Sequence, residues 1–203
     1  MFELQLSFTD VVRTASALGA SADQIPYVVA RSLNDAVEEA RSFLISSTWP
    51  THVNARNRSF LKAALTTKDA RATKGNLTAE LYDKLDRGSL LLHAKGGTKS
   101  AKGGNLAIGG SNVKRTSRGV SAGQRPRGLK NSFKKGDVIY QRQMGGKGRK
   151  KKATGKLKLM YVLKPKATIK KDVPMYADFE KVVRRVLLYS MARNVKIAMS
   201  TRR

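Results

Sequence analysis

The chain contains no cysteine, so no disulfide framework can staple it and no thiolate can serve as nucleophile or metal ligand. It has two histidines, His52 and His93, far apart in sequence and beside no carboxylate cluster. That spacing offers no zinc site, and neither metal nor cofactor is expected. Acids are scarce too, with 14 Asp and Glu against 41 Lys and Arg. Three of the acids, Asp35, Glu38 and Glu39, cluster on one predicted helix, where a solvent-facing position is expected. No hydrophobic run is long enough to cross a bilayer. Glu3, Asp10 and Arg13 interrupt the first 18 residues, unlike the unbroken apolar core of a secretory signal. The expectation is a soluble protein with no membrane partner, made in a reducing or redox-indifferent compartment.

Catalytic patterns are missing as well. A phosphate-binding loop needs G-x-x-x-x-G-K-[ST], which neither Gly145-Gly146-Lys147-Gly148 nor Gly155-Lys156-Leu157 supplies. No G-x-S-x-G nucleophile elbow occurs. No catalytic residue is therefore named, and a non-enzymatic role is expected.

Positive charge dominates what is present. The formal net charge is +27 and the pI is near 10.8, which groups the chain with nucleic-acid binders or with parts of acidic assemblies. Residues 94–152 alone hold 17 Lys and Arg against one acid, Asp137, and 13 of the 17 glycines. Such a segment buries too little apolar surface to offset the entropy lost on ordering by itself. Its cations are the candidate contacts to DNA or to a partner: Arg115, Arg118, Arg125 and Arg127 first, then Lys147, Arg149, Lys150, Lys151 and Lys152. The run 149–152 reads as a partner-facing cluster in preference to a nuclear-targeting signal. No helix-turn-helix, zinc-finger or RNP-type aromatic motif is visible, so any DNA contact should follow the backbone and ignore sequence. Tyr140, Tyr161 and Tyr176 read as core or interface residues in preference to base-stacking platforms.

Around that segment the hydrophobic pattern predicts folded elements. Phe2, Leu4 and Leu6 alternate as in a short strand. Phe8, Val11, Val12 and Leu18 fit a helix that Gly19 stops. A second helix is predicted from Asp23 as N-cap, with Pro26 tolerated in the first turn. Its stripe is Ile25, Val28, Val29, Leu33, Ala36, Val37, Ala40 and Leu44, and Trp49-Pro50 should break it after Thr48. A short helix between Asn54 and Ala64 would turn Phe60 and Leu61 inward and Arg56, Arg58 and Lys62 outward. Residues 65–73 and 77–82 read as a hairpin around Lys74-Gly75-Asn76, followed by the apolar run Leu90-Leu91-Leu92-His93.

Further strands are expected at 105–108, 137–142 and 156–163, the last with Leu157, Leu159, Tyr161 and Leu163 on one face. The second and third of these make a hairpin with a basic tip between Gly145 and Gly155. After Pro174 a closing helix runs to about Ser200 on the stripe Phe179, Val182, Val183, Val186, Leu187, Ser190, Val195 and Ala198. Asp178 and Glu180 near its start, and Arg193, Lys196, Arg202 and Arg203 near its end, suit the helix dipole. The expected fold is α+β: an antiparallel sheet flanked by N-terminal and C-terminal amphipathic helices, in one domain over 1–203. Residues 94–136 and 143–155 are expected to be long basic Gly-rich loops or arms.

The order of these features resembles bacteriophage tail-completion proteins of the lambda-type minor tail protein Z group. Three parts carry the resemblance. One is the early helix with Ala30-Arg31-Ser32-Leu33-Asn34-Asp35-Ala36, followed by the basic residues 54–62 and the strand pair. Another is the glycine- and lysine-rich middle leading to Phe133-Lys134-Lys135-Gly136-Asp137-Val138-Ile139-Tyr140-Gln141-Arg142. The last is the strand 157–163, residues 169–173, Pro174-Met175 and the closing helix with Phe179. The basic middle differs from that group in length and detail, and no residue's role is carried over individually. The resemblance implies a non-enzymatic virion protein of a long-tailed phage, assembled in the bacterial cytoplasm and located at the tail neck. It implies a homo-oligomeric ring, hexameric by analogy, contacting a tail terminator or tail-tube protein and a head-connector protein. Genome DNA would pass through that ring and be touched non-specifically. The composition alone also fits a ribosome- or nucleoid-associated protein that binds nucleic acid without sequence preference.

Overall fold

Two helices, Ile25–Phe43 and Met175–Ser200, form the spine of the molecule's helical part. The computed structural model describes residues 8–54, 57, 59–86, 89–101, 103–117, 119–145 and 152–201. It divides into two compact units, Met1–Ala94 with Lys171–Arg203 (unit 1) and Lys95–Lys170 (unit 2), so unit 2 is an insertion in the chain of unit 1. The fold is α+β, with helices in unit 1 and antiparallel strands in unit 2.

In unit 1, α1 (Phe8–Ala17) ends as its sequence suggests. Gly19 adopts φ +87°, and the Gly19 and Ala20 amides bond back to the carbonyls of Ser16 and Ala15, closing the helix terminus. Helix α2 (Ile25–Phe43) starts from Gln24, not from the predicted cap Asp23, and no side chain caps it. It also passes the point where Trp49-Pro50 was expected to stop it. A π turn, Leu44–Thr48, carries the chain into α3 (Trp49–His52). Proline lacks an amide and its ring would strike the carbonyl four residues back. The wider turn, in which the Trp49 amide reaches the Leu44 carbonyl, lets Pro50 follow without breaking the path.

Helix α4 (Phe60–Ala64) buries Leu61, as expected, and leaves Lys62 exposed. The predicted hairpin is antiparallel but sparsely paired: β1 (Leu65–Thr66) meets β2 (Tyr82–Asp83) at two positions only. Further out, Ala72 gives its backbone amide and carbonyl to the side chain of Asn34 on α2, at 2.8 and 2.9 Å. A helix side chain thus takes the place of a strand partner. The apolar run after it forms α5 (Leu90–Lys95). Expectations for Phe2, Leu4, Leu6, Arg56, Arg58, Arg202 and Arg203 lie outside the described residues.

Helix α6 (Met175–Ser200) packs antiparallel on α2. Arg193 and Asn194 bond to Asp35 and Ser32 in the middle of α2, while Thr48 beyond its end donates to Asp178 at 2.6 Å. Asp35 and Glu38 are therefore half-buried and engaged, the latter by Arg41 and Thr67, and only Glu39 keeps the predicted solvent position. The buried stripe Phe179, Val182, Val183, Leu187, Met191, Val195 and Ala198 meets Val28, Val29, Ala36, Val37 and Ala40 in one core. Each Val, Leu, Met or Phe among them, removed from water, contributes about 1.5–3 kcal/mol, and each Ala less.

Unit 2 begins and ends on a ribbon, β3 (Gly97–Ser100) paired with β10 (Lys166–Ile169). Its main sheet has the order β4 (Leu106–Gly109), β9 (Lys152–Lys164), β8 (Val138–Gly145), β7 (Ser132–Lys135). The predicted strands at 105–108, 137–142 and 156–163 are these, and the last two pair as the hairpin expected. A short hairpin of β5 (Arg115–Thr116) and β6 (Gly119–Val120) and a 3₁₀ turn, Ala122–Gln124, fill the stretch between β4 and β7. Residues 94–136, expected as a basic Gly-rich loop or arm with one strand at 105–108, thus carry five of the strands.

Candidate nucleic-acid interface

Charge is divided between the units as unevenly as secondary structure. Unit 1 has 19 Lys and Arg against 13 acids, whereas unit 2 has 22 against the single carboxylate Asp137. The ion pairs Arg41–Glu38, Arg184–Glu180 and Arg193–Asp35, at 2.7 to 2.9 Å, and the His93–Asp172 hydrogen bond at 2.8 Å all lie in unit 1. In unit 2 every Lys or Arg whose side chain is described is exposed. One carboxylate cannot neutralise 22 cations, so their charge is left for water or an anionic partner.

Three of the predicted contact residues sit on the stretch between β4 and β7. Arg115 donates to the Gly109 carbonyl at 2.8 Å, and Arg125 reaches the Val120 carbonyl at 3.4 Å. Arg127 is exposed in the turn that follows. The stretch is fastened down by Tyr161, whose hydroxyl donates to the Gln124 carbonyl at 2.6 Å, and by Val113 and Leu129, which are buried with Met160 and Tyr161. A Cβ on Gly128 would stand 2.1 Å from the Ala122 carbonyl oxygen, so glycine here serves close packing. Lys152 opens β9, paired with Gly145. Arg118, Lys147, Arg149, Lys150 and Lys151 lie outside the described residues.

The four-stranded sheet has two unlike faces. Ile139, Tyr161 and Met160 turn toward the small core. Opposite them, cross-strand rows place Ile108, Val162, Val138 and Lys135 together, then Leu159, Tyr140 and Phe133, then Leu157 and Arg142. A register shift in the β8–β9 pairing lets Met160 and Tyr161 both turn inward, so the predicted single face of Leu157, Leu159, Tyr161 and Leu163 is not formed. Leu157 and Leu159 instead lie outward at 52% and 37% exposure, beside Ile108 at 42%. Phe133 and Tyr140 stack across the strands, with centroids 5.8 Å apart and planes inclined at 26°. The Arg142 guanidinium stands 5.2 Å from the Phe133 ring centre.

Sequence reasoning did not single out Phe133, Tyr140 and Arg142 as a group. Period-two alternation on either side of Gly136-Asp137 is the signal that could have found them, because it puts residues 133, 140 and 142 on one side of a hairpin. Also unforeseen is the pairing of His93 with Asp172, where Nδ1 donates to the carboxylate at 2.8 Å and the Trp49 ring stands edge-on at 5.8 Å. The His93 carbonyl accepts from the amides of Asp172 and Val173, so the dyad fastens α5 to the approach of α6. Among the described residues, no three His, Cys, Asp or Glu side chains gather as metal ligands, and no helix is long and apolar enough to cross a membrane. No family model, curated protein or solved structure matches this chain.

Proposed function

We propose that this chain is a non-enzymatic structural protein of a long-tailed phage virion. It completes the tail at the head–tail junction as one subunit of a homo-oligomeric ring through which DNA passes. The observation that carries the reading is the separation of charge: a helical unit with 13 acids against 19 cations, joined to a β unit with 22 cations and one acid. A subunit built this way can pack through the first unit and meet a polyanion, or acidic neck proteins, through the second. The order of its elements supports the tail-completion resemblance, with a tail terminator or tail-tube protein and a head-connector protein as partners.

The test is deletion of residues 145–152 in a phage that encodes the chain. Tails and filled heads should both form but fail to join, while the purified variant keeps its helical circular dichroism. A normal yield of infectious particles from that deletion sinks the proposal. The exposed cations of unit 2 also support a second reading, a monomeric nucleic-acid-binding protein associated with ribosomes or nucleoid. It predicts binding that falls steeply with salt, about one counterion released per phosphate contacted, and no ring with tail components.

A further inference from the structure

The outward face of the unit 2 sheet joins apolar side chains to cations; the virion reading does not use it, whereas a ligand site there rests on the nucleic-acid-binding reading and deepens it by assigning it a surface. We propose that this face binds single-stranded nucleic acid without sequence preference. Bases lie on Tyr140 and Phe133, and phosphates meet Arg142, Lys135 and Lys164 at the margins.

Three arguments select that ligand. The first is charge: unit 2 cannot neutralise itself, and a polyanion gains one released counterion for each phosphate paired. The second is the face's apolar character. A duplex keeps its bases stacked inside and offers mainly phosphates, which would leave Leu157, Leu159 and Ile108 in water. A single strand presents phosphates and unstacked base faces together, and an aromatic ring receives any base because every base has a π face. The third is self-exclusion: face-to-face pairing of two copies would set Arg142, Lys135 and Lys164 against their equals, which like-charge repulsion opposes. Arg142 suits the task further, because a flat guanidinium already parked against an aromatic ring can stack and hold a phosphate at once.

The experiment uses the full chain and a fluorescein-labelled oligothymidylate of about 12 nucleotides, within the span of small single-strand sites. Tyr140→Leu keeps bulk and apolarity but removes the ring. It should weaken single-strand binding by about 5- to 150-fold, the worth of one stacked base, and leave duplex binding unchanged. Tyr140→Trp provides a second readout that does not depend on the first variant folding. Its added emission over wild type, whose single tryptophan is Trp49, should be quenched by the oligonucleotide and not by a duplex of equal length. Unchanged affinity in a folded Tyr140→Leu, or equal quenching by duplex, overturns the proposal. Quenching by polyglutamate or phosphatidylglycerol vesicles but not by the oligonucleotide also overturns it, reassigning the face to an acidic protein segment or a membrane. A phage deletion that fails to block head joining would refute the virion reading alone, since this test needs no tail.

Discussion

Unit 1 buries 24 apolar residues in one cluster among the described residues, whereas unit 2 buries four. Unit 1 spreads its ion pairs over its helices; unit 2 has one carboxylate to set against 22 cations. The first unit therefore holds its shape by removing side chains from water, the dominant favourable contribution in folding. The second relies on antiparallel backbone ladders, a few close glycine contacts and the rings of Tyr161 and its neighbours, against its own charge. A region organised in that way would gain stability from any polyanion that neutralised it.

The contrast is broken most directly by a cavity in unit 1. Leu44 is fully buried in the π turn, and Leu44→Ala should cost about 2–5 kcal/mol. Hydrogen exchange should then show α2 and α6 losing protection while β8 and β9 keep theirs. Equal loss across both units would mean that they unfold as one, and the comparison would fail.

The reverse experiment strikes unit 2 and is expected to be smaller. In Gly128→Ala the new Cβ meets the Ala122 carbonyl oxygen at 2.1 Å, a backbone atom that cannot swing aside as a side chain would. The strain should cost about 1–3 kcal/mol, read as faster exchange in β7 to β9 with α6 unchanged. Exchange at wild-type rates in β7 to β9 would show that the stretch between β4 and β7 does not support the sheet.

Much of this division was legible in the sequence where periodicity is long and strong. The stripes from Val28 to Leu44 and from Phe179 to Ala198 named the buried faces of α2 and α6 correctly, because a 3.6-residue repeat sustained over many turns fits a helix and little else. Alternation likewise located β4, β8 and β9. What escaped was set by contacts distant in sequence. Nothing near Ala72 says that Asn34, 38 residues earlier, will satisfy both its backbone groups in place of a strand partner. Pro50 read as a stop, since only the surrounding structure decides whether a helix ends or widens by one residue. Of the candidate site, the sequence told the sign and place of the charge. It did not tell the side of the sheet: one shifted residue near Met160 moves Leu157 and Leu159 from core to surface.

The smallest expected effect concerns a single phenol in unit 1. Tyr82 is half-buried on β2 and donates to the Asp69 carboxylate at 3.2 Å. Desolvation first, and then the hydrogen bond and charge of Asp69, raise its pKa above the ordinary 10.0. A raised value favours the neutral phenol in the folded state, so its contribution is complete below the unfolded value near 10 and is lost as pH climbs through the higher folded one. The hairpin around β1 and β2 should accordingly loosen in alkali before α2 and α6 do, and Tyr82→Phe should remove that step. A difference titration at the phenolate absorbance, wild type minus Tyr82→Phe, isolates the one ionisation. Asp69→Asn should lower its midpoint only in part, because burial acts without the carboxylate. A midpoint in Asp69→Asn equal to that of free tyrosine would show the opposite order of causes, with the ion and not the packing holding the proton in place.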